Sequence, residues 1–521
     1  MTRLNKLNCV QRCAFLLVLT ALALPLKSFS LISIQGKVSD KTTGEILVGA
    51  SVQISNSYLS TLTNEKGIYL LKKLKPGKIQ LSFSYLGYEI EQLELFVKND
   101  TTLDVSLQPK SFLQEEIIIE ATRANAKTPT SFSQVSKEEI SKNNLGQDLP
   151  YLLNLQPSVV TTSDAGAGVG YTGIRIRGTD GTRINTTING IPLNDAESQI
   201  SYFVDVPDLL SSTDNIQIQR GVGTSTNGAG AFGGSINIET SKLSVEPYAQ
   251  VALSTGSFNT LKNSFNVGSG LIKNKFSFDG RLSKISSDGF IDRGKSNLES
   301  YYLSGGYYGK NTTVKFITFS GNEKTYQCWN GVPEAKLRGE TEGLLDFIER
   351  NYLSEEAAQN IIHSNNRSYN SFTYQNQTDN YKQQNYQLHF SQRIKNYWNV
   401  NAALHYTKGQ GYYEEYKEGQ TLADYKLENP IVGSDTILYS NLVRQKWLDN
   451  DFYGITFSAN YNRNKKFSAT LGGAYNIYDG DHYGKVIWAQ YNAGSEFDKK
   501  YYNDNGLKKD FNIYVKANYQ I

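Results

Sequence analysis

The sequence predicts a mostly β protein: an N-terminal β-sandwich, an α+β domain in the middle and a partial antiparallel transmembrane β-barrel of about ten strands. Composition is the first reason. The chain has 35 Tyr and 44 Gly among 521 residues and only 39% hydrophobic residues, as expected of barrel strands with alternating faces and aromatic rims. The second reason is that apolar and polar residues alternate with a period of two along most of the chain. The third is that short and long connections alternate in its C-terminal half.

Charge and cysteine content narrow the class of protein further. The 53 basic and 50 acidic residues leave a formal net charge of +3, which gives no indication of a nucleic-acid partner. Two of the three cysteines, Cys9 and Cys13, fall in residues 1–30, so only Cys328 remains beyond them. A disulfide framework is therefore not expected.

Residues 1–30 are predicted to be a secretory signal peptide. Arg3, Lys6 and Arg12 supply a positively charged start, and residues 13–24 form an apolar run. That run is shorter than the ~18 apolar residues that a spanning helix needs, which disfavours a membrane anchor. We expect cleavage near Ser30 and hence an exported protein.

Residues 31–108 predict a small antiparallel β-sandwich. Turn residues separate five short runs with a period of two: residues 34–38, 50–54, 67–71, 79–83 and 103–107. The order of Gly49-Ala-Ser-Val52, residues 63–69, Pro76-Gly77 and Tyr88 resembles carboxypeptidase-regulatory-like domains. All four histidines lie outside this domain and none belongs to a zinc-binding motif, so we expect a non-catalytic module and no metal site.

Residues 109–127 are predicted to be a linker that carries a short extended segment. Within it, an apolar run lies between charged ends: Glu116, Ile117, Ile118, Ile119, Glu120, Ala121 and Thr122. One interpretation is a further edge strand of the sandwich. The other is a segment that adds to the sheet edge of a partner protein, where main-chain hydrogen bonds give affinity. Its position between two β domains, close to Pro129, favours the second.

Residues 128–243 are predicted to form the α+β domain. Residues 137–140 and 148–154 look like helical turns, and residues 173–181 and 187–193 read as strands joined by glycine turns. Residues 216–223 lead into the glycine-rich stretch 228–240, whose glycines are Gly228, Gly230, Gly233 and Gly234. A strand rather than a helix comes after these glycines, and the Lys of a phosphate loop is absent. Together these motifs resemble the plug domain of TonB-dependent outer-membrane receptors. The resemblance implies that residues 116–122 are the TonB box.

Three arginines of this plug domain are candidates for a contact with the barrel. Arg175 and Arg177 alternate with isoleucines, so one face of their strand is apolar and the other cationic; Arg220 follows a similar strand. An ordinary solvated strand face is one interpretation. The other is that the three arginines meet acidic residues inside the barrel and form a releasable lock.

Residues 244–521 are predicted to be the partial barrel. About ten segments alternate, and residues 398–406 show the pattern most clearly. Tight connections near residues 271–274, 309–311, 394–396 and 462–465 alternate with longer ones near residues 287–289, 322–381, 408–446 and 479–509. The first connection, residues 255–259, is the one exception, because it is short. Because short turns of such barrels face the periplasm, the first strand is expected to run outwards. The sequence stops within an alternating segment, whereas the family closes with about 22 strands, so we expect a fragment of a longer reading frame.

The connection over residues 322–381 is a candidate for ligand binding. It starts with aromatic and amide side chains, of which Tyr326, Trp329 and Asn330 could contact a solute, and it reads as partly helical from 340 to 363. Packing within the loop is the equal alternative.

The resemblance implies an active importer rather than an enzyme. The expected partners are the TonB energy-transducing complex, a scarce small solute and outer-membrane lipid, and no cofactor is expected. Residues 189–195 look more like those of iron-chelate receptors than like the Asp-Gly-Val-Pro version of oligosaccharide importers. A ferric chelate is therefore the favoured solute. The alternatives are an oligosaccharide or cobalamin importer of this family, or a passive porin or adhesin on the same barrel.

Overall fold

The computed structural model divides into two compact units, Met1–Leu113 and Gln114–Ile521. Each is described by itself. The signal peptide and the TonB box that the sequence predicts lie outside the residues that the structure describes. The described residues are 31–41, 44–55, 57, 59–85, 88–108, 123–124, 130–223, 230–240, 243–395, 397–464 and 466–519.

The first unit contains two small sheets that share one hydrophobic core. The strands are β1 (Ile32–Asp40), β2 (Ser51–Ile54), β3 (Ser60–Leu62), β4 (Ile68–Leu74), β5 (Gly77–Ser84), β6 (Glu91–Val97), β7 (Thr101–Thr102) and β8 (Val105–Leu107). One sheet has the order β4-β1-β7, with β8 also paired to β1, and the other has the order β3-β2-β5-β6. Tyr69 is fully buried between them, where its hydroxyl donates to the Leu103 carbonyl at 2.8 Å. The predicted β fold of this unit is confirmed, although the sequence analysis missed β3, β6 and β7.

The region predicted to be the plug is described over residues 130–223 and 230–240, where two short α-helices accompany a five-stranded sheet. Its elements are β9 (Phe132–Ser136), α1 (Lys137–Asn143), α2 (Leu149–Leu153), β10 (Val159–Ser163), β11 (Thr172–Ile176), β12 (Ile184–Ile188), β13 (Ile191–Pro192), β14 (Thr213–Arg220) and β15 (Gly234–Thr240). The sheet order is β13-β12-β15-β14-β9, while β10 and β11 pair separately. Ser136 and Glu139 form a capping box that fixes the start of α1. Isoleucines of β12, β14 and β15 fill the core, as their alternation predicts.

Ten strands follow in one sheet, which confirms the predicted number of barrel strands and their antiparallel pairing. They are β16 (Tyr248–Gly256), β17 (Thr260–Gly268), β18 (Phe276–Ser287), β19 (Ser296–Tyr308), β20 (Thr312–Tyr326), β21 (Thr378–Ile394), β22 (Trp398–Thr421), β25 (Tyr439–Asn464), β26 (Phe467–Ala489) and β27 (Lys500–Tyr519). β23 (Ile431–Val432) and β24 (Asp435–Thr436) form a separate hairpin.

The two faces of this sheet differ in polarity. Along β18, Arg281 and Ser283 are buried beneath the plug, whereas Phe276, Phe278 and Leu282 are exposed on the opposite face. The same alternation continues through the other strands, and it gives the sheet a polar inner face and an apolar outer face. An apolar outer face is what a lipid environment requires of a barrel strand.

Several strands extend farther than the sequence analysis predicted. Residues 408–446 were interpreted as a long connection, but β22 continues to Thr421 and β25 begins at Tyr439. Beyond the apolar band the outward positions no longer need apolar side chains, so the alternation fades while the main-chain pairing continues. Apart from the first connection, residues 257–259, the connections are short at one end of the sheet and longer at the other.

The longest connection, between β20 and β21, is partly helical as predicted. It carries α3 (Glu334–Arg338), α4 (Thr341–Arg350) and α5 (Glu355–His363). Ser354 caps α5 by accepting a hydrogen bond from the amide of Ala357. No helix among the described residues is long and apolar enough to cross a membrane.

Candidate functional site

A cavity of about 490 Å³ lies between the plug and the inner face of the ten-stranded sheet. The plug contributes Tyr171, residues 192–198 and Asp205, and the connection between β20 and β21 contributes Trp329. Strands β21, β22, β25 and β26 supply the remaining wall. Because this connection belongs to the end of the sheet with longer loops, the cavity lies on the predicted external side of the plug.

Carboxylates from the plug and from the sheet meet at the floor of this cavity. The Tyr171 hydroxyl donates to Oδ2 of Asp379 at 2.5 Å and reaches Oε1 of Glu323 at 3.3 Å. Burial, together with the nearby Asp379 and Asp195 carboxylates, raises the pKa of Asp205 well above its ordinary value. Removal of water and mutual repulsion both disfavour the charged form of such groups. The cavity floor therefore favours binding of protons or of a positive group.

Of the three ligand residues predicted in the loop, only Trp329 lines the cavity. Its ring meets the rings of Tyr171 and Tyr413 edge to face, with centroids 6.2 Å and 5.6 Å away. The hydroxyl of Tyr326 donates to the carbonyl of Tyr374 at 2.7 Å, and Asn330 donates to Ser371 at 2.8 Å. These two side chains hold the loop together, which is the packing alternative left open by the sequence.

A buried ionic cluster joins the plug to strands β17 and β18 of the sheet. Asp208 of the plug pairs with Nζ of Lys262 on β17 at 2.6 Å and with Nη1 of Arg281 on β18 at 3.2 Å. Ser211 and Ser283 donate to the same carboxylate at 2.6 Å and 2.7 Å. We call these five residues the Asp208 cluster. Burial alone would raise the pKa of Asp208, but the two cations outweigh it and hold that pKa at about 2.

In this contact the acid is on the plug and the bases are on the sheet, and none of its members is one of the three arginines predicted to form a lock. Arg220 instead donates to Ser133 at 2.5 Å and to Ser131 at 3.0 Å, both within the plug. The guanidinium of Arg177 lies close to Gly221, also in the plug. The side chain of Arg175 lies on the exposed face of β11. A role of these arginines in a lock stays a prediction.

The residues directly after the predicted TonB box are attached to the plug sheet. Arg123 donates to Glu239 on β15 at 3.2 Å and contacts Asn215 on β14. The backbone of Ala124 makes a two-way contact with the Gln217 side chain on β14: its amide donates at 2.7 Å and its carbonyl accepts at 2.8 Å. We call this contact the Arg123–Ala124 clip.

Some sequence signals could have located these residues. Lys262 falls on the inward face of an alternating strand, and a cation there needs a buried counter-ion. Asp208 has no such pattern around it, because it lies in an irregular turn with φ of 53°. Among the described residues, no group of three or more His, Cys, Asp or Glu side chains is arranged to hold a metal ion.

Two family models match the chain. The model for a CarboxypepD_reg-like domain matches residues 34–119, and the model for the TonB-dependent Receptor Plug Domain matches residues 124–235. A comparison with curated proteins finds no significant match. The two matches support the predicted order of a carboxypeptidase-regulatory-like domain followed by a receptor plug, and a receptor rather than an enzyme. The first match extends beyond residue 108 into the predicted linker and covers residues 116–119 of the predicted TonB box.

Solved structures of receptors share the fold at low sequence identity. FpvA of P. aeruginosa bound to heterologous pyoverdines is 12% identical, with 76% of this chain and 50% of that chain covered and a TM-score of 0.52. The unliganded ferric citrate transporter FecA is 14% identical, with 75% and 54% covered and a TM-score of 0.52. BauA, the ferric preacinetobactin receptor from Acinetobacter baumannii, is 12% identical, with 75% and 56% covered and a TM-score of 0.52.

The present chain spans about half the length of these structures. Along the chain, the N-terminal sheets come first, the plug second and the ten strands that contact the plug third. The chain therefore joins a carboxypeptidase-regulatory-like domain to a TonB-dependent receptor plug and to ten antiparallel strands with the fold of these receptors.

Proposed function

We propose that the protein is an outer-membrane receptor that imports a scarce small solute by using energy delivered through TonB. The solute binds on the external side of the plug, and the TonB complex binds residues 116–122 on the opposite side. Force on that segment then moves the plug and lets the solute pass. Support comes from the plug match, from the polar inner face of the sheet and from the cavity beside the long loops.

One observation carries this proposal: residues 205–217 connect the three parts that such a mechanism needs. Asp205 borders the cavity, Asp208 is paired with the sheet, and Asn215 and Gln217 hold the Arg123–Ala124 clip. A pull on the box reaches β14 through the clip. From β14 it reaches the Asp208 cluster within a few residues of chain.

The buried ion pairs suit a contact that must hold and then release. Breaking one buried pair leaves a charge uncompensated, which typically costs ~3–5 kcal/mol. Water that enters as the plug moves would restore most of that loss, because solvated ions need no partner. The cluster therefore resists thermal opening but yields to an applied force.

A ferric chelate remains the favoured solute. The motif at 189–195 supports it, although Asn189 itself has a structural role: it occupies a turn with φ of 54° and donates to Thr240 and to Gln387 of β21. Structures with the same fold include receptors for ferric chelates, and also the copper transporter OprC. The fold by itself therefore leaves the solute open.

Uptake of labelled ferric chelates by cells that express the receptor tests this proposal. Accumulation should require the receptor, should increase after iron starvation and should stop when a protonophore removes the energy source. Uptake that persists with the protonophore would instead support a passive porin. Induction by a glycan, with no response to iron, would favour an oligosaccharide importer.

A further inference from the structure

The charged groups around the cavity are mostly acidic. Four carboxylates line it, from Asp195, Glu197, Asp205 and Asp379, against a single ammonium group from Lys446. The Glu197 carboxylate contacts His482 at 2.8 Å and accepts from the Tyr478 hydroxyl at 3.2 Å. No cationic side chain among the described residues contacts Asp205 or Asp379. Asp205 and Asp379 are therefore carboxyl groups of the cavity without a cationic partner in the described part of the chain.

Two buried amides in the same cavity also lack partners for one atom each. Asn385 is 6% exposed and Asn450 is 9% exposed, and both line the cavity. Nδ2 of Asn385 and Oδ1 of Asn450 make no hydrogen bond in the described structure. Buried polar atoms normally have a partner, so an unpaired donor and an unpaired acceptor in one cavity indicate a polar ligand.

Three aromatic side chains form one wall of the cavity. Tyr171, Trp329 and Tyr413 line the same cavity, where the Trp329 ring packs edge to face against both tyrosine rings. Tyr171 also donates to Asp379, so the rings and the acids form one continuous surface. Electron-rich rings attract cations as well as apolar groups. Together with uncompensated carboxylates, such rings discriminate against an anionic solute.

We propose that this cavity binds a positively charged solute, with Asp205 and Asp379 as counter-ions and with the Tyr171, Trp329 and Tyr413 rings against its apolar part. This inference rests on the proposed uptake function and specifies its ligand: the imported chelate carries a free ammonium or similar cation. Anionic complexes such as ferric citrate are rejected by charge.

Binding should also depend on pH. Asp205 faces Asp195 of the plug loop, Glu323 of β20, Asp379 of β21 and the Tyr171 hydroxyl, and burial with these acids favours its protonated form. A cationic solute favours the ionised form. Affinity for the cation should therefore rise with pH, and binding should release protons.

Equilibrium binding to the purified full-length receptor tests the charge preference. The probes are a linear ferric trihydroxamate with a free terminal amine (ferrioxamine B), the same chelate with its amine acetylated, and ferric citrate. Tryptophan fluorescence reports binding, since Trp329 lines the cavity. We expect the amine-bearing chelate to bind roughly tenfold or more tightly than its acetylated form.

Three variants identify the groups responsible. Asp205→Asn and Asp379→Asn should each remove most of the preference for the amine-bearing chelate over its acetylated form. Glu299→Gln is the matched control, since Glu299 pairs with the exposed Lys284 away from the cavity. If either Asn variant misfolds, the unmodified receptor still tests the inference, through its relative affinity for the two hydroxamates and through the pH dependence of that binding.

Equal affinity for the two hydroxamates, tighter binding of ferric citrate, or failure of the amine-bearing chelate to bind would each overturn the inference. These results are distinct from a failure of the proposed function. A receptor that shows the charge preference but takes up solute without energy would refute only the uptake mechanism. Energy-dependent uptake of an anionic chelate would refute only the inference about charge.

Discussion

Removal of the charge at Asp208 is the most informative test of how the plug is held. Asp208→Asn keeps the shape of the side chain but leaves Lys262 and Arg281 buried without a counter-ion; both are less than 4% exposed. The pKa of Asp208 falls from 3.8 to about 2. At ~1.4 kcal/mol for each pKa unit, this corresponds to roughly 2 to 3 kcal/mol of favourable interaction. Loss of a partner in a buried pair typically costs ~3–5 kcal/mol.

Hydrogen exchange in the plug strands measures this loss. If the plug opens by leaving the sheet, the amides of β14 and β15 should exchange roughly 100-fold faster or more in Asp208→Asn. Glu138→Gln is the control, because it removes an exposed pair with Lys142 on the same domain and should change exchange little. Exchange within a factor of two of the unmodified protein would refute the assigned role of the cluster.

Low pH should weaken the contact between Asp208 and its two cationic partners. The depressed pKa means that the contribution of Asp208 is fully present above about pH 4 and is lost as the pH falls towards 2. Plug protection in the unmodified protein should therefore fall in that pH range. In Asp208→Asn the contribution is absent at every pH, so its protection should show less acid dependence.

Three further predictions concern other parts of the chain. Arg123→Gln removes the ionic contact of the Arg123–Ala124 clip with Glu239. Paired transport and binding assays should then show reduced solute uptake with unchanged solute binding. Loss of both uptake and binding would contradict this prediction. Burial raises the pKa of Asp148 to about 8, so ionisation of its carboxyl group lowers the free energy of unfolding as the pH rises from about 4 to 8. In urea unfolding, Asp148→Asn should therefore be more stable relative to the unmodified protein at pH 8 than at pH 5. A difference in stability between the two proteins that does not change with pH would refute this. Gly36→Ala places a Cβ against the Leu103 carbonyl, so it should lower the unfolding temperature of the N-terminal domain, whereas Lys37→Ala on the exposed face of β1 should not.

The alternation of apolar and polar residues predicted most of the fold because each barrel strand has one apolar and one polar face. Alternation such as that of residues 398–406 follows directly from this geometry, and the ten strands are those expected. The strand ends were less predictable. Outside the apolar band, pairing between β22 and β25 depends on main-chain hydrogen bonds, which leave little trace in the side chains.

The candidate site was only partly predictable. Trp329 was expected on chemical grounds, and the structure places it at the cavity. The Asp208 cluster was missed, because its members are separated by long stretches of chain and meet only after the plug docks on the sheet. Asp208 lies in an irregular turn, and its sequence context does not show that its carboxylate becomes buried against Lys262 and Arg281.

The central claim is that residues 116–122 transmit energy to a plug that already holds the solute. The most direct test deletes these residues from the full-length receptor and measures solute binding and solute uptake on the same cells. The account predicts that binding is retained and uptake is lost. Uptake that continues at the unmodified rate after the deletion would contradict it.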